Sequence, residues 1–451
     1  MNALGLNEFN ILKTETNDYD YLFTVEKAES PTICPKCGHM NIENKPFWKH
    51  NTKERTLSDI SMHGKRVKLL LRHVRYKCQV CEYTFYELLD SVDTNDKITK
   101  RLYLHIQQQA LKKPFTTIAD EFGISNMTVR RAFDDFVKDS EKHRVLKAPR
   151  VIGIDEAHLN KVMRGVITDI DNRRILEILP TNLKRDVKAC IKSMEGYKDI
   201  EVATMDMATG YRYAMQELVP NALCIIDKFH VIQLVTRALD SVRINFKNSI
   251  TKQQKKLLLN DRWLLLSNQE DLSDKDIVKR DAIFKIHPEL LLPYHLKEGL
   301  RVVYRASDRK DAYERYYEWE KAIPDDLTAF KGVADTINGC KTEVFNYFLT
   351  ETKYTNAYTE SINNIIKKIE KSGVGYSFEV LRAKVLYGTT ATKKPEFGEN
   401  LRIQLLTPRF LIKWLIENQH LIEHNDDEKK LLEGQYVDVT ELMNIINKGI
   451  F

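Results

Sequence analysis

No apolar run in this 451-residue chain approaches the roughly 20 residues needed to cross a bilayer. Stretches such as Trp263-Leu264-Leu265-Leu266 stop far short, so no membrane partner is expected. The first residues, Met1-Asn2-Ala3-Leu4-Gly5-Leu6-Asn7-Glu8, lack a basic leader and a long apolar core, which argues against secretion. Glycine and proline are scarce, at 17 and 12, and no tract reads as low-complexity, disordered or repetitive. A Gly-x-x-x-x-Gly-Lys-Ser/Thr loop is missing, which disfavours nucleotide-driven chemistry. Cysteine is sparse as well. Four of the seven fall in two Cys-x-x-Cys pairs, while Cys190, Cys224 and Cys340 are scattered. In a large non-secreted chain that pattern favours metal binding over disulfides.

What is present is ordinary globular composition, 43% hydrophobic and 30% charged, long enough for two or three domains and a large core. A net charge of +6 permits nucleic-acid binding without requiring it. The sequence divides into a cysteine-bearing head (1–90), a helical segment (91–148), an alternating strand–helix segment (149–235), a helical stretch (236–350), a further helical segment around Glu360 (351–393) and a C-terminal helical stretch (394–451). Within 149–235, strands are expected at Val151–Asp155, Gly165–Asp169 and Arg174–Leu179, then a helix from Leu183 to Met194. A strand to Asp206, a short helix Tyr211–Leu218 and a strand Ala222–Asp227 follow. The order β-β-β-α-β-α-β allows hairpins first and parallel additions later. It matches a ribonuclease-H-like core, so the expected class is multidomain α+β. A zinc-binding β-ribbon and a helix-turn-helix would precede that α/β core, and a helical insertion would interrupt it.

Cys34-Pro35-Lys36-Cys37 and Cys78-Gln79-Val80-Cys81 supply two thiolates each, the set for one closed, structural tetrahedral Zn²⁺ site. Gly38 stands where the first knuckle turns tightly. Between the pairs, the segment 65–77 holds Lys65, Arg66, Lys68, Arg72 and Arg75 with no acid. As a hairpin it could follow a phosphate backbone; the alternative is a solvated strand face.

Residues 115–133 have helix-turn-helix layout. Ile118, Ala119 and Phe122 line one side of a first helix, Gly123 ends it, Ile124 plugs the turn, and Ser125 caps a second helix burying Val129, Ala132 and Phe133. Ser125, Asn126, Thr128, Arg130 and Arg131 are then candidates for contact with double-stranded DNA.

Three acids stand out. Asp155 and Asp206 each end an apolar strand, and Glu360 lies early in a later helix. Hard carboxylate oxygens in such a trio suit two Mg²⁺ (or Mn²⁺) ions, roughly 4 Å apart, over a phosphodiester. Glu156 is discounted because alternation turns it to the other face. Asp227 also ends an apolar strand and competes with Asp206; strand order favours Asp206, with Asp227 and His230 as a supporting pair. On the Glu360 helix, Ile362, Ile365, Ile366 and Ile369 form an apolar face, and Asn364, Lys367 and Lys371 continue the Glu360 line toward phosphates. A surface helix with Glu–Lys pairs is the plain alternative.

In chain order, the Cys-x-x-Cys head, the helix-turn-helix, Gly153-Ile154-Asp155-Glu156, Asp206-Met207, Asp227-Lys228-Phe229-His230-Val231 and Thr355-Asn356-…-Glu360-Ser361-Ile362-Asn363 resemble the bacterial insertion-sequence transposases of the ISL3 family. The resemblance spans nearly the whole chain. It departs from the pattern only mildly, with Ala157-His158 where an aromatic is common. It implies an Asp-Asp-Glu triad of Asp155, Asp206 and Glu360 as metal ligands, binding of the element's terminal inverted repeats, Mg²⁺-dependent cleavage and strand transfer. It also implies a cytoplasmic, nucleoid-associated protein that acts at least as a homodimer on DNA. A DNA-binding regulator without catalysis, or a nuclease with the same core, are the competing readings.

Overall fold

The computed structural model describes residues 4–92, 97–251, 255, 261–373 and 375–388. The expected C-terminal helical stretch, 394–451, lies outside them.

The head is larger than a ribbon. Strands β1 (Phe9–Thr16), β2 (Asp20–Lys27), β3 (Trp48–Met62), β4 (Lys65–Lys77) and β5 (Thr84–Tyr86) form one sheet of order β1-β2-β4-β3, with β5 on β4. Every second residue of β4, Val67, Leu69 and Leu71, is buried with Phe23, Val25 and Leu57, as period-two alternation dictates. His63 and Gly64, with φ of 51° and 77°, turn β3 into β4; two left-handed residues match the twist of a tight hairpin.

Helices α1 (Lys100–Ala110), α2 (Phe115–Phe122) and α3 (Asn126–Lys142) form the helix-turn-helix bundle. Gly123 adopts φ 58°, ψ 48° at the end of α2, and Ser125 Oγ accepts the Thr128 N–H at 3.1 Å to cap α3. The bundle is bolted to the head. Lys68 Nζ donates to Ser58 Oγ at 2.6 Å and to the Gly123 carbonyl at 2.7 Å, and Ser61 Oγ donates to the Glu121 carbonyl at 3.0 Å.

A second five-stranded sheet follows, from β6 (Val151–Leu159), β7 (Val162–Asp169), β8 (Arg174–Ile178), β9 (Val202–Met205) and β10 (Leu223–Ile226). Its order is β10-β9-β6-β7-β8. The pairs β6–β7 and β7–β8 are antiparallel, and β6–β9 and β9–β10 are parallel. Helices α4 (Lys184–Ser193) and α5 (Thr209–Leu218) make the crossovers. One expectation needs correcting: Asp155 does not end its strand. β6 continues to Leu159, and Asp155 pairs with Val166 of β7. The parallel ladder to β9, however, stops at Ile154↔Met205, so Asp155 still emerges where that ladder ends.

Helix α6 (Lys228–Ser249) runs unbroken through the boundary expected at 235/236. It leads into α7 (Asp261–Leu266), α8 (Asp274–Ile286), α9 (Leu291–Val303), α10 (Arg309–Lys321), α11 (Thr328–Asn338) and α12 (Lys341–Phe345), with no strand among the described residues of 236–350. The chain then returns to the sheet: Asn346 Nδ2 donates to the Cys224 carbonyl of β10 at 2.9 Å. Helix α13 (Ala357–Ser372) packs on the sheet at Gly153. A Cβ there would lie 2.6 Å from side-chain atoms of Thr168, Ile170 and Thr359, so only glycine admits the helix so closely. Ile362 and Ile366 are buried and Ile369 partly so, but Ile365 is exposed, contrary to the expected apolar face. Helix α14 (Phe378–Gly388) ties this core to the DNA-binding bundle. Its buried Lys384 donates to the carbonyls of Ala110 and Lys113 and lies over the rings of Phe115, Phe133 and Tyr376. Among the described residues no helix is long and apolar enough to cross a membrane.

Candidate active site and DNA-binding surfaces

The strand ends and two helix starts bring five titratable side chains together. Asp155, Asp206 and His230 have ligand atoms within 4.8 Å of one another, and so do Asp227, His230 and Glu360. His230 therefore stands between two pairs of acids. Its Nε2 is 3.9 Å from Asp155 Oδ1, and its Nδ1 is 3.4 Å from Asp227 Oδ2. The expected trio of Asp155, Asp206 and Glu360 does not form one cluster at that spacing. Asp206 and Asp227 both lie at this site, one in each group.

Burial sets the electrostatics. It pushes the Asp155 carboxyl up and the Asp206 carboxyl up to about 6, with neighbouring carboxylates adding to the rise. Burial and Asp227 push Glu360 up in the same sense. The contact with Asp227 pulls His230 upward against the effect of its own burial, and Asp155 and Asp206 reinforce it. A desolvated cluster of hard oxygen donors is a setting that a divalent cation relieves. Asp227 Oδ2 and His230 Nδ1 are buried against each other at 3.4 Å with no other hydrogen-bond partner.

Two asparagines hold the site together. Asn356, fully buried, stands at the N-cap position of α13, though its side chain makes no capping bond. Its Nδ2 donates to the Ile154 carbonyl at 2.8 Å, and its Oδ1 accepts from Thr204 Oγ1 at 2.9 Å and Thr359 Oγ1 at 3.1 Å. Its backbone N–H donates to Asp227 Oδ1 at 3.3 Å. One residue, through its side chain and its backbone N–H, thus fixes the Glu360 helix to β6, β9 and the start of α6. Asn363 Nδ2 donates to Asp155 Oδ2 at 3.0 Å. Neither was assigned a role from sequence. The usable signal was a polar stripe, Asn356, Thr359 and Asn363, at helical spacing on a buried face. Glu156, discounted above, has its Oε2 occupied by Asn182 Nδ2 at 2.8 Å.

In the head, Cys34, Cys37, Cys78 and Cys81 converge, with Sγ–Sγ distances of 3.7 Å (Cys34–Cys81) and 3.8 Å (Cys37–Cys78). Zinc–sulfur bonds of about 2.3 Å in a tetrahedron require an edge of about 3.8 Å. The knuckles repeat one geometry: Gly38 and Glu82 both adopt positive φ, and their N–H groups bond the Cys34 and Cys78 carbonyls at 3.0 Å. Burial alone would raise the Cys34 thiol, but the N–H groups of Cys37 and Lys36 outweigh it and bring it down to about 7. A backbone bond from His39 favours the Cys37 thiolate, yet the adjoining thiols push it up to about 12. Four crowded thiols of this kind fit one soft cation.

Most of the cations of 65–77 also make contacts within the fold. Lys65 lies over the Tyr21 ring, Arg66 grips Asp20 through two bonds of 2.7 and 2.9 Å, Lys68 holds Gly123, and Arg75 donates to Thr84 at 2.6 Å. Arg72 remains exposed. The edge strand β3 adds exposed Lys49, His50 and Lys53. On α3, Asn126 is exposed, Ser125 and Thr128 form the cap, Arg130 pairs with Asp134 at 2.8 Å, and Arg131 lies over Tyr103. Asn364, Lys367 and Lys371 line the exposed side of α13.

Comparison with known proteins agrees with this geometry. Residues 152–385, just over half of the chain, match a family model described as a transposase, of ISL3 DDE type. Residues 87–137 match the helix-turn-helix domain of transposase family ISL3. The chain is 24% identical over 356 residues to the transposase of insertion sequence element IS1001 from Bordetella parapertussis, covering 76% of this chain and 85% of that one. It is 26% identical over 199 residues to the transposase of element IS1557 from Mycobacterium tuberculosis, covering 38% of this chain and 45% of that one. These matches define the class, a DNA-binding enzyme that cuts and joins DNA. The chain belongs to the ISL3 family of insertion-sequence transposases.

Proposed function

We propose that Asp155, Asp206 and Glu360 form the acidic triad of a DDE-type centre, with Asp227 and His230 completing it, and that this centre cleaves the element's ends and joins them to target DNA. The observation that carries the reading is the convergence of four carboxylates, from β6, the β9 end, the α6 start and α13, around one imidazole. The sheet order β10-β9-β6-β7-β8 supports a ribonuclease-H-like core interrupted by the helices between Asp227 and Glu360. The domain division that goes with it runs from head to helix-turn-helix to this split core.

Two Mg²⁺ (or Mn²⁺) ions, when bound, stabilise charge on the attacking and leaving oxygens. The chain's own part is positioning. Asp155 and Asp206 present oxygens from adjacent strands, and Asn356 holds Glu360 opposite them. His230 keeps Asp155 and Asp227 in one orientation. Asn364, Lys367 and Lys371 offer an amide and two ammonium groups to flanking phosphates. The head, held by one structural Zn²⁺ on its four cysteines, and α3 bind the terminal inverted repeats. Acting on two ends calls for at least a dimer on DNA, in the bacterial cytoplasm with the nucleoid.

The test is end cleavage and strand transfer in Mg²⁺ by Asp155→Ala, Asp206→Ala and Glu360→Ala. Each should lose on the order of 10²–10³-fold or more in cleavage with end binding intact. Near-normal cleavage by one variant removes that residue from the centre. Joining of pre-cleaved ends by the wild type separates a transposase from a nuclease or a regulator.

A further inference from the structure

Asn363 lies on α13 three residues after Glu360, so one helix delivers a carboxylate and an amide to the same site. Only 6% of Asn363 is exposed. Its Nδ2 donates to Asp155 Oδ2 at 3.0 Å and approaches the Glu156 carbonyl at 3.4 Å. Both partners are acceptors, which fixes the amide: nitrogen must face them, and Oδ1 must turn away. That Oδ1 is buried with no partner. A buried amide oxygen left alone costs about 1–3 kcal/mol, so it calls for a partner from outside the chain, a water or an ion. The opposite side of the same carboxylate is already held, because Asp155 Oδ1 accepts the Glu156 N–H at 2.8 Å.

We propose that Asn363 is a positioning residue at this centre: its Nδ2 locks the Asp155 carboxylate in the orientation that presents it to a divalent cation. This rests on the metal-dependent reading above and extends it to a residue outside the acidic set. The amide also explains why a polar residue sits between Ile362 and Ile366 on the buried side of α13. An apolar residue there would leave Asp155 Oδ2 without that donor.

The experiment is calorimetric titration of Mn²⁺ into the zinc-loaded full chain without DNA, for wild type, Asp155→Ala, Asn363→Ala and Asn363→Asp. Thermal unfolding, end binding and cleavage are read on the same samples. Asn363→Ala should weaken Mn²⁺ binding by about 10-fold or more, the usual effect of losing a group that supports a metal ligand. Asn363→Asp has the same shape, so it carries the test if the alanine variant misfolds. It adds negative charge beside the acids, so it should bind Mn²⁺ at least as tightly as wild type. It nevertheless should cleave more slowly, because Asp155 has lost its donor. Mn²⁺ affinity of Asn363→Ala within twofold of wild type, or Asn363→Asp binding more weakly than Asn363→Ala, overturns the proposal while leaving the acidic centre standing. Wild type and Asp155→Ala binding Mn²⁺ alike overturns the centre itself, and this inference with it.

Discussion

Replacing Asn356 probes the joint on which the acidic centre depends. Asn356→Ala withdraws one donor and one acceptor from a fully buried position. The two hydroxyls it serves keep other partners: Thr204 Oγ1 still reaches the Ile152 carbonyl at 3.4 Å, and Thr359 Oγ1 still meets Thr168 Oγ1 at 2.7 Å. The loss is then the Ile154 carbonyl's partner, about 1–3 kcal/mol, together with a small void. A total of about 2–4 kcal/mol follows. Asn356→Asp fills the same volume, but it turns a carboxylate oxygen toward that carbonyl. It also sets a buried charge beside Asp227, which takes the Asn356 N–H. An unpaired buried charge costs about 3–5 kcal/mol, so the isosteric change should destabilise more than the truncation. Urea unfolding followed by far-UV circular dichroism measures both. An aspartate variant as stable as wild type, or more stable than the alanine variant, would refute the reasoning.

Other consequences are open to measurement. Chelation should release one zinc per chain, and Cys78→Ser should abolish end binding; a folded, zinc-free head that still binds DNA would contradict the Cys₄ site. Lys68→Met should lower stability without changing the salt slope of DNA binding, because Lys68 bridges Ser58 and Gly123, whereas Arg72→Ala should reduce that slope by about one phosphate's share. Equal slopes in the two variants would return the contact to Lys68. Burial lowers the Lys384 ammonium to about 8. A lysine depressed on folding binds fewer protons folded than unfolded between that value and its ordinary 10.5. Stability therefore rises with pH through this window, by up to about 3 kcal/mol. Lys384→Met should lack that rise, and a parallel pH dependence in the two proteins would refute the assignment.

Much of the core was legible because its strands are short apolar runs with clear breaks. Residues 151–227 fold in the expected order of strands and helices. The choice between Asp206 and Asp227 was not legible. β9 and β10 are parallel neighbours in register, so both acids leave the same sheet edge, and no pattern along the chain distinguishes them. On α13 the apolar count pointed to Ile365. The buried face instead carries Asn356, Thr359 and Asn363 as well as Ile362 and Ile366, because the partner surface is polar at the acids and apolar beyond them. The tertiary contacts of the basic run of β4 were not legible. Val67, Leu69 and Leu71 fill the inner face, and the helix-turn-helix covers Arg66 and Lys68 on the other. Nothing local in the sequence reveals that cover. The Cys-x-x-Cys pairs and the Gly123-Ile124-Ser125 turn were legible because each motif needs only a few adjacent residues.

The most direct measurement is anomalous diffraction from crystals of the chain grown with Mn²⁺ and a terminal-repeat DNA. The account predicts manganese peaks within about 2.0–2.3 Å of carboxylate oxygens of Asp155, Asp206 and Glu360, beside His230 and Asp227. Fully occupied manganese elsewhere, with these carboxylates bound only to protein, would contradict it.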